Sequence, residues 1–220
     1  MEENSTLFLG ELLLKGGWTM VPLYACSAVG LIVFIHKLIT YRAAQLTDLS
    51  WESEVIKLIR SGNLNAVPDA FNSSKHPAVN VVRAMVTALK ERPVEAKSEA
   101  LRVASLELQK LEKNLSLLSF LAQVAPLLGL LGTVLGMIDL FVSFQHGGNS
   151  NINLTELSAG IWKALITTAA GLTIAVPTLA AHSYLTSRVD NVRLDLSDLI
   201  QRILYAIPRA QAQPVTESDD

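Results

Sequence analysis

Three stretches of this chain carry almost no charge, and each is long enough to cross a bilayer. The first runs from Trp18 to Ile35, before His36 and Lys37. The second runs from Leu117 to Phe144, broken by Asp139, and the third from Ile161 to Leu185, with Lys163 near its start and His182 near its end. A membrane helix needs ~20 predominantly apolar residues. Inside lipid, a spanning segment satisfies its backbone polar groups only as a helix or a closed barrel. These lengths predict an all-α integral membrane protein with three transmembrane helices. The composition agrees. Only 17% of residues are charged and 50% are hydrophobic, whereas a soluble domain usually carries about 25% charged residues. The charges crowd into 40–116 and 186–220.

Lysine and arginine in the flanks set the orientation, since cytoplasmic loops hold the excess. The loop from Gln145 to Leu157 has none, and the N-terminal segment has only Lys15. Lys37, Arg42, Lys57 and Arg60 follow the first crossing, and Arg188, Arg193, Arg202 and Arg209 follow the third. The expected order is therefore an outer amphipathic segment (1–17), a first crossing (18–39) and a cytoplasmic helical domain (40–116). A second crossing (117–144), an outer loop (145–157), a third crossing (158–185) and a cytoplasmic helix with a tail (186–220) complete it.

The cytoplasmic segment reads as helical. Trp51 to Arg60 is amphipathic and ends before Gly62, while Pro77 and Pro93 stand where first-turn prolines start helices. Leu101, Ala104, Leu108, Leu111, Leu115 and Leu118 alternate spacings of three and four, as do Val189, Val192, Leu196, Leu199, Ile203 and Ala206. Both are heptad seams. No Gly or Pro lies between Val94 and Pro126, so the second and third crossings are expected to continue as long helices into the cytoplasmic domain. At 1.5 Å per residue, ~50 residues span about 75 Å.

Within the last two crossings, small residues form stripes. Ala125, Gly129, Gly132, Gly136, Asp139 and Ser143 share one helix face, as do Gly160, Ala164, Thr168, Gly171 and Ala175. Lipid gives helices no hydrophobic reason to associate, so close approach through small residues supplies the attraction. The glycines and alanines read as packing positions. If the hairpin turns near residue 151, Thr133 and Thr168 lie at one depth, with Thr167 beside the latter. Their hydroxyls then line a polar level, unless each bonds to its own backbone carbonyl. The same register pairs Asp139 with Lys163, ~8 Å further outward. Ionisable groups this deep are costly and usually paired or functional; snorkelling toward the headgroups is the alternative.

Other classes find little support. A net charge of −2 offers no argument for nucleic acid as a partner. The single Cys26 excludes an internal disulfide and a paired-cysteine metal or redox site. The sequence Leu23-Tyr24-Ala25-Cys26 loosely matches a lipoprotein cleavage box, but nine apolar or small residues continue beyond it before His36, where a cleaved signal should end. His36, His76 and His146 show no metal-ligand spacing. No metal and no cofactor is expected, and no enzyme: Gly-x-Ser-Gly is absent, and His182 reads as an interfacial histidine.

Ala125-Pro126-Leu127-Leu128-Gly129-Leu130-Leu131-Gly132-Thr133-Val134-Leu135-Gly136-Met137 resembles the second-helix signature of the MotA/TolQ/ExbB proton-channel family. Gly160-Ile161-Trp162-Lys163-Ala164-Leu165-Ile166-Thr167-Thr168-Ala169-Ala170-Gly171-Leu172, followed by Ala175-Val176-Pro177, resembles its third-helix signature. Lys15-Gly16-Gly17-Trp18-Thr19-Met20-Val21-Pro22 is more similar to the ExbB branch than to TolQ. The resemblance implies a bacterial inner-membrane protein with a periplasmic N-terminus and a cytoplasmic C-terminus. It implies a self-assembled ring, generally a homopentamer, around the helices of an ExbD-like partner. It further implies use of the proton-motive force to drive a TonB-like protein and uptake through outer-membrane receptors. The family's pore threonines map onto Thr133 and Thr168. One departure stands out: many members have glutamate at the position of Lys163 and a neutral residue at that of Asp139.

Between Phe120 and Ile138, and between Ala164 and Ala181, there is no Asp, Glu, Lys, Arg or His. Threonine hydroxyls orient water but do not titrate near neutral pH. A working proton relay needs a group that changes charge, typically a buried carboxylate. The chain is thus expected to be an incomplete motor whose carboxylate comes from another chain; the resemblance implies an aspartate on the ExbD-like helix. A TolQ-like envelope-maintenance motor or a gliding motor would use the same hairpin. A flagellar stator fits less well, because that branch has four crossings. A non-conducting scaffold would explain the stripes but not two threonines at one depth.

Overall fold

A computed structural model describes residues 19–44, 51–71, 74, 76–146 and 154–207. The N-terminal segment 1–17 and most of the 145–157 loop lie outside the described residues, as does the tail from 208. Among the described residues every regular element is helical. The helices are α1 (Met20–Ala43), α2 (Glu52–Arg60), α3 (Ala78–Glu91), α4 (Ala96–Glu112), α5 (Leu115–His146) and α6 (Leu154–Ala206). Short 3-10 turns cover Val67–Phe71 and Pro93–Glu95. Three helical runs are long and apolar enough to cross a membrane, in the three places the sequence predicts. The chain is an all-α membrane protein.

It divides into two compact units. The first joins Met1–His36 to Asn114–Tyr184; the second joins Lys37–Lys113 to Leu185–Asp220. In the first, Met20, Leu23, Ala125 and Ala175 are buried together, with Leu128, Ile166, Ala170 and Ile174 packed against them. Large apolar side chains such as Leu31, Ile32, Leu127, Phe141 and Val176 point outward. Hydrocarbon is as apolar as leucine, so this exposure carries no penalty in a bilayer. Pro126 and Pro177 stand inside α5 and α6. Each removes one helical hydrogen bond, a loss membrane helices tolerate when neighbouring groups re-satisfy the backbone.

The second unit has a conventional core. Val55, Ile59, Val67, Val81, Val82 and Met85 are buried, and so is the α6 seam of Val189, Val192, Leu196, Leu199, Ile203 and Ala206. The α4 seam differs from its expected course. Leu101 is 48% exposed, and the buried stripe is Ala96, Ala100, Ala104, Glu107 and Leu111. Glu107 is tolerated there because Lys110 pairs with it at 2.7 Å and Asn80 Nδ2 donates to it at 3.0 Å. Gly62, at φ 76°, takes the left-handed turn after α2. That region is readily open to glycine alone.

The expected unbroken helix holds for the third crossing, where α6 runs 53 residues. Before the second crossing it is interrupted at Lys113–Asn114, where Asn114 takes φ 68°. Asparagine tolerates this region better than most residues. The physical reason for the stop lies in α1. A helix end leaves carbonyls without intrahelical donors. Here Lys37 Nζ donates to Leu111 O at 2.7 Å, and Tyr41 Oη donates to the same oxygen at 2.8 Å. Lys37 is 4% exposed, and its ammonium also lies 3.5 Å from Lys110 O and 5.5 Å from the centre of the Tyr41 ring. A cation at a helix C-terminus also complements the helix dipole.

Candidate functional site

The site is the seam where the second crossing (α5) meets the membrane part of α6. Glycine lets two helices approach until backbone touches backbone, and missing Cβ atoms show where this happens. A Cβ at Gly171 would stand 2.7 Å from Ala125 O, and one at Gly129 would stand 3.0 Å from both Thr167 O and Thr168 Cα. At Gly136 the neighbour is Ala164, 3.3 Å from the Cβ position. At Gly160 it is Leu140, whose Cδ1 crowds the Cβ position and whose Cγ stands 3.1 Å from it. Ala125, Ala164 and Ala175 are buried along the same seam.

The threonines take three different situations. Thr133 Oγ1 donates to Leu130 O at 2.7 Å, three residues back on its own helix. Thr168 Oγ1 donates across the hairpin to Gly129 O at 3.1 Å. Thr167 is 1% exposed; its Oγ1 donates to Ala164 O at 2.7 Å and lies 3.4 Å from Gly129 O. A Cβ at Gly132 would collide with that hydroxyl at 2.6 Å and would stand 3.0 Å from Thr19 Oγ1. Thr167 therefore sits inside the helix packing, while Thr133 and Thr168 are only half-buried.

The cross-hairpin register lies close to one centred on residue 151: Gly132 meets Thr167, Gly136 meets Ala164, Gly160 meets Leu140 and Gly129 meets Gly171. Thr168 Oγ1 reaches back to Gly129 O, so Thr133 and Thr168 lie within about one turn of each other along the hairpin. Thr19 was not singled out by the sequence; a lone threonine at the mouth of the first crossing carries no periodic signal.

Nearer the connection between α5 and α6, Lys163 Nζ lies 3.9 Å from Asp139 Oδ2. Their side chains are 41% and 73% exposed, and exposed pairs of this kind contribute little, about 0–1 kcal/mol. Ser143 Oγ donates to Asp139 O at 2.8 Å. Asp139, Lys163, Gly136, Leu140, Ser143, Phe144, Ala159 and Gly160 line a hollow of about 270 Å³. No titrating side chain lies on either helix between this hollow and the threonines. The seam can orient water and accept or donate hydrogen bonds, but it has no carboxylate of its own there.

Comparison with known proteins identifies the family. Residues 73–198 match the MotA/TolQ/ExbB proton channel family. The chain is 28% identical over 166 residues to an ExbB-like biopolymer transport protein of Synechocystis sp., covering 76% of this chain and 79% of that one. It is 27% identical over 185 residues to the biopolymer transport protein exbB1 of Vibrio cholerae, covering 83% and 81%. It is 33% identical over 103 residues to the Tol-Pal system protein TolQ of Haemophilus influenzae, covering 47% and 44%.

Proposed function

The chain belongs to the MotA/TolQ/ExbB proton channel family, and we propose that it is the ring-forming subunit of an ExbB-like inner-membrane motor. In this reading several copies, five by the family resemblance, surround the membrane helices of an ExbD-like partner. The partner supplies the titrating aspartate, and the proton-motive force drives a TonB-like protein that energises outer-membrane transport. The N-terminus and the 145–157 loop face the periplasm, and the C-terminus faces the cytoplasm. The observation that carries the proposal is the hairpin itself: half-buried hydroxyls at Thr133 and Thr168 on a glycine seam, with no ionisable side chain at their level on α5 or α6. Such a path needs a carboxyl group from outside the chain.

Thr133 and Thr168 carry the proton path in this reading. Thr167 takes a different part, since its burial and short bond to Ala164 O suit a pin between helices. Asp139 and Lys163 form an ion pair at the outer mouth. Four experiments test these assignments. Purification of the native complex should bring down a one-helix protein with a membrane aspartate, and liposomes holding both chains should conduct protons. A complex without such a chain, or equal flux without it, would sink the motor. Thr133→Val and Thr168→Val should abolish energised uptake with the ring intact. Exchanging Asp139 and Lys163 should retain assembly better than either single charge reversal.

A TolQ-like role in envelope maintenance is the second reading, favoured by the match to TolQ. Loss of TonB-dependent uptake on deletion, with the envelope intact, supports the first; the reverse supports the second.

A further inference from the structure

A hydroxyl group has one hydrogen to give and two lone pairs to receive. At Thr133 that hydrogen goes to Leu130 O, and at Thr168 it goes to Gly129 O. A carbonyl oxygen only accepts, so the direction of both bonds is fixed by chemistry. Thr173 and Thr178 are spent in the same way, on Ala169 O and Ile174 O. What Thr133 and Thr168 leave free toward their half-buried sides is lone pairs alone.

We infer that Thr133 and Thr168 present an acceptor-only surface that selects the protonated form of the carboxyl group brought by the partner's membrane helix. The inference rests on the motor reading above and deepens it. A neutral carboxylic acid carries the O–H donor that these oxygens lack, whereas a carboxylate carries only acceptors. Docking the acid completes a hydrogen bond. Docking the carboxylate sets lone pair against charge, or makes a hydroxyl turn and give up its backbone bond.

The surroundings leave this preference unopposed. Along α5 and α6 the nearest charged side chains are Asp139, six residues outward of Thr133, and Lys163, five residues outward of Thr168. At helical rise these lie ~7–9 Å away along the axis, and their opposite charges lie 3.9 Å apart. On α1 the ionisable groups before His36 are Tyr24 and Cys26, neither of them charged near neutral pH. The threonine level is thus a place where the partner's group is held neutral, and its proton leaves only when the group moves off the threonines.

The test uses the complex of this chain with its partner in liposomes. N,N′-dicyclohexylcarbodiimide, which attacks protonated carboxyl groups, is applied across a pH series, and labelling of the partner's membrane carboxyl is read by mass spectrometry. Thr133→Val and Thr168→Val should each move the labelling midpoint to lower pH by about half to one unit, the effect of losing one neutral hydrogen bond. Thr133→Ser and Thr168→Ser should leave it in place. A midpoint that stays put in the valine variants, or moves upward as it would if the threonines donated to a carboxylate, overturns the inference and leaves the motor reading intact. A native complex with no labelled partner carboxyl at any pH overturns both. Where a valine variant fails to assemble, the infrared spectrum of the native complex decides. A carboxylic C=O stretch at neutral pH supports the inference, and carboxylate bands alone refute it.

Discussion

The membrane hairpin and the helical bundle of the second unit are held by opposite means. In the bundle, branched and long aliphatic side chains such as Met85, Leu196 and Ile203 fill the space between helices. In the hairpin the space itself is missing, because Gly129, Gly132 and Gly171 bring backbone against backbone or hydroxyl. Water explains the first, since burying apolar area there yields roughly 25 cal/mol per Å². Lipid explains the second, since leucine is no better placed between helices than against acyl chains. The same residue type therefore means different things in the two regions. An exposed leucine is ordinary on α5 and informative on α4.

The sharpest way to break this contrast is at Gly171. A methyl there meets the Ala125 carbonyl, a rigid neighbour, so Gly171→Ala should cost most of the folded complex in a size-exclusion profile. Gly160→Ala meets the side chain of Leu140, its tip first and its Cγ and Cβ at 3.1 and 3.2 Å, a neighbour that shifts more readily than backbone, and should retain more of it. Equal yields would mean the seam is not held by backbone contact. Next in size, Leu196→Ala should lower stability by about 2–5 kcal/mol, as cavities in aqueous cores do, seen as a fall in the melting temperature. Lys37→Met removes a charged donor from a buried helix end and should cost about 1.5–3 kcal/mol in the same measurement. Smallest is Arg102→Ala. Arg102 pairs with Glu99 at 2.7 Å on an open surface and holds that carboxyl below its usual range through the hydrogen bond. Any stability this pair gives is present above the ordinary carboxylate range and lost as the pH falls, and exposed pairs contribute little. Arg102→Ala should leave the melting curve unchanged.

Which parts of this were legible in the sequence follows the same division. The three crossings and the small-residue stripes could be read because charge depletion and helical spacing are long-range patterns that any local detail leaves intact. The α6 seam from Val189 to Ala206 is buried throughout for the same reason. The break at Lys113–Asn114 was hidden, because the seam from Leu108 to Leu118 runs straight through it and no Gly or Pro marks it. What stops α4 is supplied some seventy positions earlier by Lys37 and Tyr41. Thr167 and Thr168 are neighbours with identical side chains, and helical rotation alone separates a buried pin from a half-buried hydroxyl. The direction of each hydroxyl's bond depends on which carbonyl lies within reach, and spacing does not encode that.

Lys37 belongs to two moments in the life of the chain. While the polypeptide is being threaded into the bilayer, no bundle exists, and in the proposed topology a lysine just past an apolar stretch serves as a signal that keeps its flank on the cytoplasmic side. Once α4 has formed, the same ammonium is withdrawn from water and holds Leu111 O. The signal is read early and then put away inside the product. Arg42, further along α1, stays exposed.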